Sequence, residues 1–403
     1  MHTRPKVVLA FSGGLDTSYC ALHLARERGC DVVAVTVNTG GFTTREIADI
    51  EARASALGVA AFVCLDEEQA YYTRVLRHLV YGNVLKNGAY PLSVSAERIV
   101  QAMAIARYAT SIGADAIAHG STGAGNDQVR FDMVFRTLAP GLEILTPIRD
   151  RRLSRAESNA WLAAQGVVVP ESTVRYSINK GLWGTSVGGR ETLTSDTPLP
   201  EEAWPTPVTR TGSEALTLGF VRGEIDAVNG ERFARKPDAI RRVQELAAPY
   251  GIGRDIHVGD TIIGIKGRVG FEAAAPLLLI KAHHALEKHV STKWQLFWKD
   301  QLAVWYGNWL HEGQFLDPAM RDIEALFESS QRTVTGEVLL TLAPYRFSID
   351  GVRSPHDLMS AEFGSYGEEN RAWTGDDVKG FAAVFGNQAA IWRRVNEGLL
   401  DEE

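Results

Sequence analysis

Residues 6–28 read KVVLAFSGGLDTSYCALHLARER, and this stretch decides the fold. Val7 to Phe11 is a nearly continuous, β-branched apolar run, the pattern of a strand buried on both faces of a parallel sheet. Gly13 and Gly14 let the chain turn tightly and bring backbone N–H groups close to an anion. Asp16, Thr17 and Ser18 follow at the start of an amphipathic helix running from Tyr19 to Arg28, where unpaired N–H groups and the helix dipole favour negative charge. The stretch therefore reads as a phosphate cradle. Neither GxxxxGK[ST] nor GxGxxG is present, so the two best-known phosphate loops are excluded. The plainer alternative is a Gly-rich strand-to-helix turn with Ser12 as its cap.

Composition narrows the classes of function. At 403 residues and 45% apolar content the chain has material for more than one core. A formal net charge of -7 gives no support to broad nucleic-acid binding. The three cysteines, Cys20, Cys30 and Cys64, are odd in number and lack paired metal-ligand spacing, which argues for core thiols rather than disulfides or a zinc cluster. No apolar run approaches a membrane span, and His2 and Arg4 lead directly into a strand instead of a signal peptide. A cytoplasmic protein is expected.

Outward from the cradle, strands are predicted at Val7–Phe11, Val32–Asn38, Ala60–Leu65 and Asp115–Ala118. Helices are predicted between them at Thr44–Leu57 and Ser95–Ile112, and beyond them at Ser154–Gln165. This alternation implies an α/β fold, a doubly wound parallel sheet, with ligands above the carboxyl ends of its strands. After Gly166–Thr173 the character changes. Ser-, Thr- and Gly-rich loops lead to β-like runs at Ala215–Phe220, Val258–Lys266 and Pro276–Lys281 and to an aromatic segment, Trp294–Trp309, which together suggest an α+β second domain. From Asp376 or Asp377 a helix carrying Phe381, Val384, Phe385, Ile391, Trp392, Val395 and Leu399 is expected to need a partner for its apolar face. The expected division is 1–168, 169–374 and 375–403.

A second polar cluster, HGSTGAGNDQVRFD at residues 119–132, reaches the same sheet edge. Thr122 and Asn126 suit a carboxylate, Asp127 an ammonium and Arg130 a bidentate anion contact, a set that fits a zwitterionic amino acid. The alternative is a loop whose polar groups cap one another. Asp132 reads as a surface acid.

SGGLDTS, Asn38 with Gly40, the segment bearing Tyr90, Ser95 and Arg98, HGSTGAGNDQVRF and YSINKGLWGTS together resemble the argininosuccinate synthase family, within the wider class of ATP pyrophosphatases. The resemblance is specific over about the first 190 residues and weak beyond Leu193. It implies that ATP is held by Ala10, Phe11, Ser12, Gly13, Gly14, Leu15, Asp16, Thr17 and Ser18, with Val37 and Gly120 beside the adenosine. It places aspartate at Thr122, Asn126 and Asp127, and citrulline at Tyr90, Ser95, Asn126, Arg130, Ser177 and Ser186, with Arg98 a further substrate-binding position. Asp16 and Asp127 become the candidate catalytic residues, Asp16 also a candidate Mg²⁺ contact, and a homotetramer the implied assembly.

Several departures fall on the citrulline side. The family usually carries Lys where this chain has Ala124, and Glu soon after Ser186, where it has Val187, Gly188 and Gly189. The family's VENRxxG and a following Tyr become Val258–Gly264, with Gly259 and Asp260, and Phe271. A lost carboxylate and phenol remove polar partners for a buried ligand, and Asp260 and Glu272 stand as candidate replacements. A related adenylating synthetase and a non-catalytic nucleotide-binding homologue remain as alternatives.

The chemistry follows from the groups. A urea carbon is a poor electrophile until its oxygen carries a leaving group, so the ureido oxygen is expected to attack the α phosphorus of ATP with departure of pyrophosphate. The aspartate amine is then expected to displace AMP. Positioning and charge stabilisation suffice, with no side-chain nucleophile.

Overall fold

A computed structural model of the protein describes residues 4–168, 176–359 and 372–397. Strands β1 (Lys6–Ala10), β2 (Asp31–Asn38), β3 (Ala61–Asp66), β4 (Ala116–Ala118) and β5 (Glu143–Leu145) form a parallel sheet in the order β3-β2-β1-β4-β5. The chain winds outward from β1 through β3, then returns to β4 on the other side, so the topological switch lies between β1 and β4. Strand period places alternate side chains on opposite faces. Val7 and Leu9 pack with Tyr19, Leu22 and Ala54, whereas Val8 joins Ile99 and Met103 of the helix Ser93–Ser111 on the other face.

The first helix begins at Leu15, earlier than its periodicity suggested, and runs to Leu22 before passing into a wider turn, His23–Glu27. Its N-cap is Gly14, not Ser12. Helices Thr44–Ala56 and Arg155–Ala164 start at capping boxes, Thr43 with Glu46 and Ser154 with Glu157. Part of the expected crossing Gly166–Thr173 and the expected boundary at 168/169 adjoin residues outside those described.

Beyond residue 176 the strands are β6 (Tyr176–Asn179), β7 (Thr185–Gly189), β8 (Glu214–Val221), β9 (Glu224–Val228), β10 (Glu231–Arg232), β11 (Arg254–Asp260), β12 (Lys266–Glu272), β13 (Gly336–Ala343) and β14 (Arg346–Arg353). They form an antiparallel four-stranded sheet, β11-β12-β7-β6, and an antiparallel five-stranded one, β10-β9-β8-β13-β14. Two expected strands are corrected. Val258–Lys266 is a hairpin end, since β11 stops at Asp260 and β12 starts at Lys266. Pro276–Lys281 lies in the helix Ala274–Val290; its apolar run is buried all round, which leaves strand and helix alike in pattern, and the run's extension to Val290 decides for helix. The aromatic segment is the helix Lys293–His311, with Trp294, Trp298 and Trp305 exposed. Cys20 and Cys30 are buried thiols, but Cys64 is partly exposed; all three are free. Among the described residues no helix is long and apolar enough to cross a membrane.

The chain up to His356 is one compact unit, and one apolar core runs from Val8 and Met103 through Leu216, Leu278, Tyr306 and Leu340. The residues from Asp357 form a second unit. There Thr374, not Asp376 or Asp377, caps the helix, using Asp377 as the reciprocal partner in a capping box. The helix Gly375–Phe385 is interrupted at Gly386, and a second helix runs Asn387–Val395; Leu399 lies outside the described residues.

A charged knot sits inside the first unit. Lys299 Nζ donates to Glu287 Oε2 at 2.5 Å and to the Tyr81 carbonyl at 3.1 Å. Asn83 Nδ2 and Gln331 Nε2 also donate to Glu287, at 2.6 and 3.0 Å. Both ends of the ion pair are 1% exposed. Burial would raise the Glu287 carboxyl, but its interaction with His283, the Lys299 charge and the hydrogen bonds from Lys299 and Gln331 override it and hold it below the ordinary carboxylate range. Lys299→Met leaves that carboxylate buried without its counter-charge, so denaturant unfolding should show a loss of about 3–5 kcal/mol. A loss of under about 1 kcal/mol, the size of a surface pair, would contradict this reading.

Candidate active site

The loops after β1 and β4 meet at the switch point. Phe11 extends the pairing of β1, donating its N–H to the Val35 carbonyl at 2.9 Å and accepting from Thr36 Oγ1 at 2.7 Å. Gly13 then turns the chain with φ +71°, its carbonyl accepting from Arg53. Ser12 Oγ lies 3.3 Å from Thr17 Oγ1 and accepts the Gly14 N–H at 3.4 Å. No side chain caps the helix that starts at Leu15, which leaves its N-terminal N–H groups facing outward for an anion. Gly120 lies against this loop. A Cβ there would stand 3.1 Å from the Asp16 carbonyl carbon and 3.2 Å from the Thr17 nitrogen.

The second loop is braced at its base. His119 accepts the Ser121 N–H at Nδ1 (3.2 Å) and faces Asp132 through Nε2 at 2.9 Å, the tautomer that satisfies both contacts. Arg149 holds the other Asp132 oxygen at 2.9 Å. Asp132 is thus a structural acid, not a surface one. Burial would raise its carboxyl, yet the bonds from His119 and Arg149 hold it below the usual range. Sequence spacing could not reveal Arg149, which comes from the far side of β5.

Asp127, at the start of the helix Asp127–Leu138, sits between two guanidinium groups. Arg98 Nε donates to Oδ2 at 3.1 Å and Arg130 Nη1 to Oδ1 at 2.9 Å. Burial raises the carboxyl and the two charges lower it; the charges win. Arg98 Nη2 continues to Asn179 Oδ1 (2.8 Å), and Asn179 Nδ2 to Ser186 Oγ (3.3 Å). Arg130 Nε donates to the His311 carbonyl at 2.9 Å, and its Nη2 lies 3.3 Å from His311 Nδ1. Burial, reinforced by Arg130 and Lys86, pushes His311 down to about 3. Glu97, also buried, accepts from Thr39 Oγ1 at 2.5 Å, and burial raises its carboxyl against the pull of Arg98.

The structure gathers Ser12–Ser18, Gly120, Asn126, Asp127, Arg130 and Arg98 into this region, with Asn179 and Ser186 joined through Arg98. Other candidates are differently placed. Thr122 is exposed at the loop tip and Ser177 is exposed opposite Gly188 in the β6–β7 pairing. Ser95 is buried and donates to the Leu92 carbonyl at 3.2 Å, and Asn126 Oδ1 accepts the Ile262 N–H of the β11–β12 turn at 2.8 Å. Tyr90 is buried with its hydroxyl 3.2 Å from Ser93 Oγ. Val37 is buried near the end of β2. Neither proposed replacement for the missing carboxylate is free: Glu272 accepts from Thr206 Oγ1 (2.5 Å) and faces Arg254, and Asp260 pairs with Lys266 at 2.6 Å. Sequence reading passed over Glu97, Asn179 and His311. Asn179 lies within the quoted YSIN segment, while Glu97 and His311 carry no motif signal.

Asp16, in the first helical turn, has its carboxyl raised by burial, with Arg155 opposing. Among the described residues no cluster of three His, Cys, Asp or Glu side chains could hold a metal by itself.

The sequence is similar to those of known proteins over nearly its whole length. Residues 6–168 match the family model described as the arginosuccinate synthase N-terminal HUP domain, and residues 176–392 match that of the arginosuccinate synthase C-terminal domain. An argininosuccinate synthase from Xanthomonas campestris is 38% identical, the match covering 97% of this chain and 98% of that protein. One from Methanocaldococcus jannaschii is 36% identical over 90% of this chain and 92% of its own length, and one from Dehalococcoides mccartyi 35% over 99% and 98%.

The closeness of Gly120 to the first loop generates a test. Gly120→Val forces the Asp16–Thr17 backbone to move, so equilibrium dialysis should show ATP affinity reduced by about tenfold or more, equivalent to ~1.4 kcal/mol, with the circular dichroism of the wild type. Unchanged ATP affinity would show that this contact does not shape the cradle.

Proposed function

Because the chain belongs to the argininosuccinate synthase family, we infer that it is an ATP-dependent carbon–nitrogen ligase, joining citrulline to aspartate with release of AMP and pyrophosphate. The observation that carries this is the near-complete coverage by relatives of that one activity, with both family domains matched in order.

In the reading we favour, the segment Ala10–Ser18 holds the ATP phosphates through backbone N–H groups, and Gly120 and Val37 flank the adenosine. The cradle needs no side chain at Gly120, which lets the nucleotide side of the loop stay narrow. Citrulline lies against Tyr90, Ser95, Arg98, Asn126, Arg130, Ser177 and Ser186, and its ureido oxygen attacks the α phosphorus to form a citrullyl-adenylate. Aspartate is held by Thr122, Asn126 and Asp127. Each Asp127 oxygen accepts from one arginine and keeps a second lone pair, which can accept from the aspartate amine and aim it at the activated carbon. No side-chain nucleophile is invoked; alignment and fixed charge supply the acceleration.

Asp16 fits a Mg²⁺ contact. Its carboxyl is a hard oxygen donor whose charge burial disfavours, and a cation nearby would restore it. Mg²⁺ commonly takes only one or two carboxylates and completes its shell with phosphates and water, so a single acid suffices. The ion would supply charge neutralisation at the phosphates. We further assign the nucleotide to residues 1–168, completion of the amino-acid site to 169–374 and assembly to 375–403, in a cytoplasmic homotetramer. Support for the last comes from Phe381, Val384, Phe385, Ile391, Trp392 and Val395, all exposed on the terminal helices.

Pyrophosphate release should require ATP, citrulline and aspartate together; ATP binding without release in the complete mixture would contradict the assignment. Asp16→Ala should cut turnover by about 100-fold or more at saturating Mg²⁺, in the range expected for loss of a preorganised electrostatic contact, with circular dichroism unchanged. Wild-type turnover would remove Asp16 from the metal and phosphate chemistry. Ending the chain before Asp376 should lower the mass found by light scattering from that of a tetramer. A full-length monomer, or a tetramer that survives truncation, would reject the assembly role.

A further inference from the structure

The first loop and Gly120 shape the nucleotide side of the site, and Asp127 with its two arginines shapes the amino-acid side. Glu97, which no motif singles out, is bonded to both sides. Arg98 is one partner: its Nη1 donates to Glu97 Oε2 at 3.3 Å while its Nε donates to Asp127 Oδ2 at 3.1 Å. The other partner comes from the loop after β2, where Thr39 Oγ1 donates to Glu97 Oε1 at 2.5 Å. Thr39 is wholly buried two residues beyond Val37, and Glu97 is 6% exposed.

The loop after β2 has no slack with which to find another partner. Gly40 turns it at φ +93°, and a Cβ there would stand 3.0 Å from Arg241 Nη2. A Cβ on Gly41 would stand 2.5 Å from the Lys180 carbonyl oxygen, so the loop is pressed against the turn between β6 and β7. The same turn closes over the acid, since a Cβ on Gly181 would lie 3.5 Å from each Glu97 carboxylate oxygen. Three segments thus meet at one carboxylate. Arg98 does not need it as a counter-charge, which Asp127 supplies, and Gln101 Oε1 and Asn179 Oδ1 already hold Nη1 and Nη2 at 2.8 Å. Burial raises the Glu97 carboxyl, the neighbouring Asp127 charge adds to the rise, and Arg98 and the Thr39 bond oppose it. An acid kept against that penalty, with one bond to each side, acts as a link.

We propose that Glu97 is a positioning residue that fixes the loop after β2 against the Arg98–Asp127 pair, so that the nucleotide and the amino acids meet in line. The inference rests on the ligation proposed above. Glu97 itself touches no substrate, and each ligand taken alone finds its own side intact. Loss of the link is therefore felt in the reacting alignment, where a misplacement of about 1 Å can cost about 100-fold in rate.

Three nearly isosteric variants test it. Glu97→Leu cuts the link at the acid and Thr39→Val cuts it at the loop. Glu97→Gln can keep it, its amide oxygen accepting from Arg98 and its NH2 group donating to Thr39 Oγ1. Glu97→Leu and Thr39→Val should each lower kcat by about tenfold or more, while the Kd of ATP and of citrulline, each measured alone by calorimetry, stay within about twofold of the wild type. Glu97→Gln should recover most of the rate. The double variant should be no slower than Glu97→Leu, because both changes break one link. Thr39→Val, which removes only a hydroxyl, carries the test should Glu97→Leu fail to fold. An unchanged kcat in Thr39→Val, Kd values that rise in step with the loss of rate, or a Glu97→Gln enzyme as slow as Glu97→Leu would overturn the inference while leaving the proposed function intact. A wild type that releases no pyrophosphate with ATP, citrulline and aspartate would overturn both.

Discussion

The pairing of Asp127 with Arg98 and Arg130 is the constraint on which the site depends. Through it the helix Ser93–Ser111 is tied to the helix Asp127–Leu138, then through Asn179 to Ser186 in the antiparallel sheet, and through the His311 carbonyl to the helix Lys293–His311. Removing the acid would leave the buried Arg130 and the partly buried Arg98 without their shared counter-charge. The arginines gain as much from Asp127 as it does from them. The same carboxylate is thus both a brace and, in the proposed reaction, the acceptor for the aspartate amine.

In the proposed reading, phosphate recognition uses a different resource. The first loop offers backbone N–H groups from a helix start that no side chain caps, and Gly120 presses the second loop against Asp16 and Thr17 at a distance that admits no methyl group comfortably. The two loops belong to strands on either side of the switch point, so sheet topology alone sets their approach. In the proposed reading, charge on the nucleotide side comes from main chain and Asp16, whereas charge on the amino-acid side comes from arginines fixed by Asp127. The amino-acid side is also where the chain departs from the family pattern, at Gly188, Gly259 and Phe271. Phe271 packs 5.3 Å from the Tyr90 ring and His257 covers its other neighbourhood, so aromatic packing has taken over space that the pattern gives to polar groups.

The parallel sheet was legible because its strands are short apolar runs bounded by glycines and its helices begin at Thr43 and Ser154, whose capping partners Glu46 and Glu157 stand three residues on. The second part was less so. Pro276–Lys281 resembles a strand because a helix buried all round loses the periodicity that would betray it, and Val258–Lys266 straddles a turn whose Gly264 lies inside an apolar run. At the site, residues carried by contiguous motifs could be named. Partners brought from afar could not: Arg149 on Asp132 and His311 on Arg130 are juxtapositions of tertiary packing. Asp132 was misjudged for that reason, its two partners lying 13 and 17 residues away in opposite directions.

The central claim is that the ureido oxygen of citrulline is activated by bonding to the α phosphorus of ATP. Citrulline labelled with ¹⁸O in the ureido group tests it in one experiment, read by mass spectrometry of the separated products. That oxygen leaves with the adenylate when the aspartate amine attacks, so the label should appear in the phosphate of AMP and be absent from pyrophosphate. Label found in pyrophosphate, or AMP carrying none after complete turnover, would contradict the account.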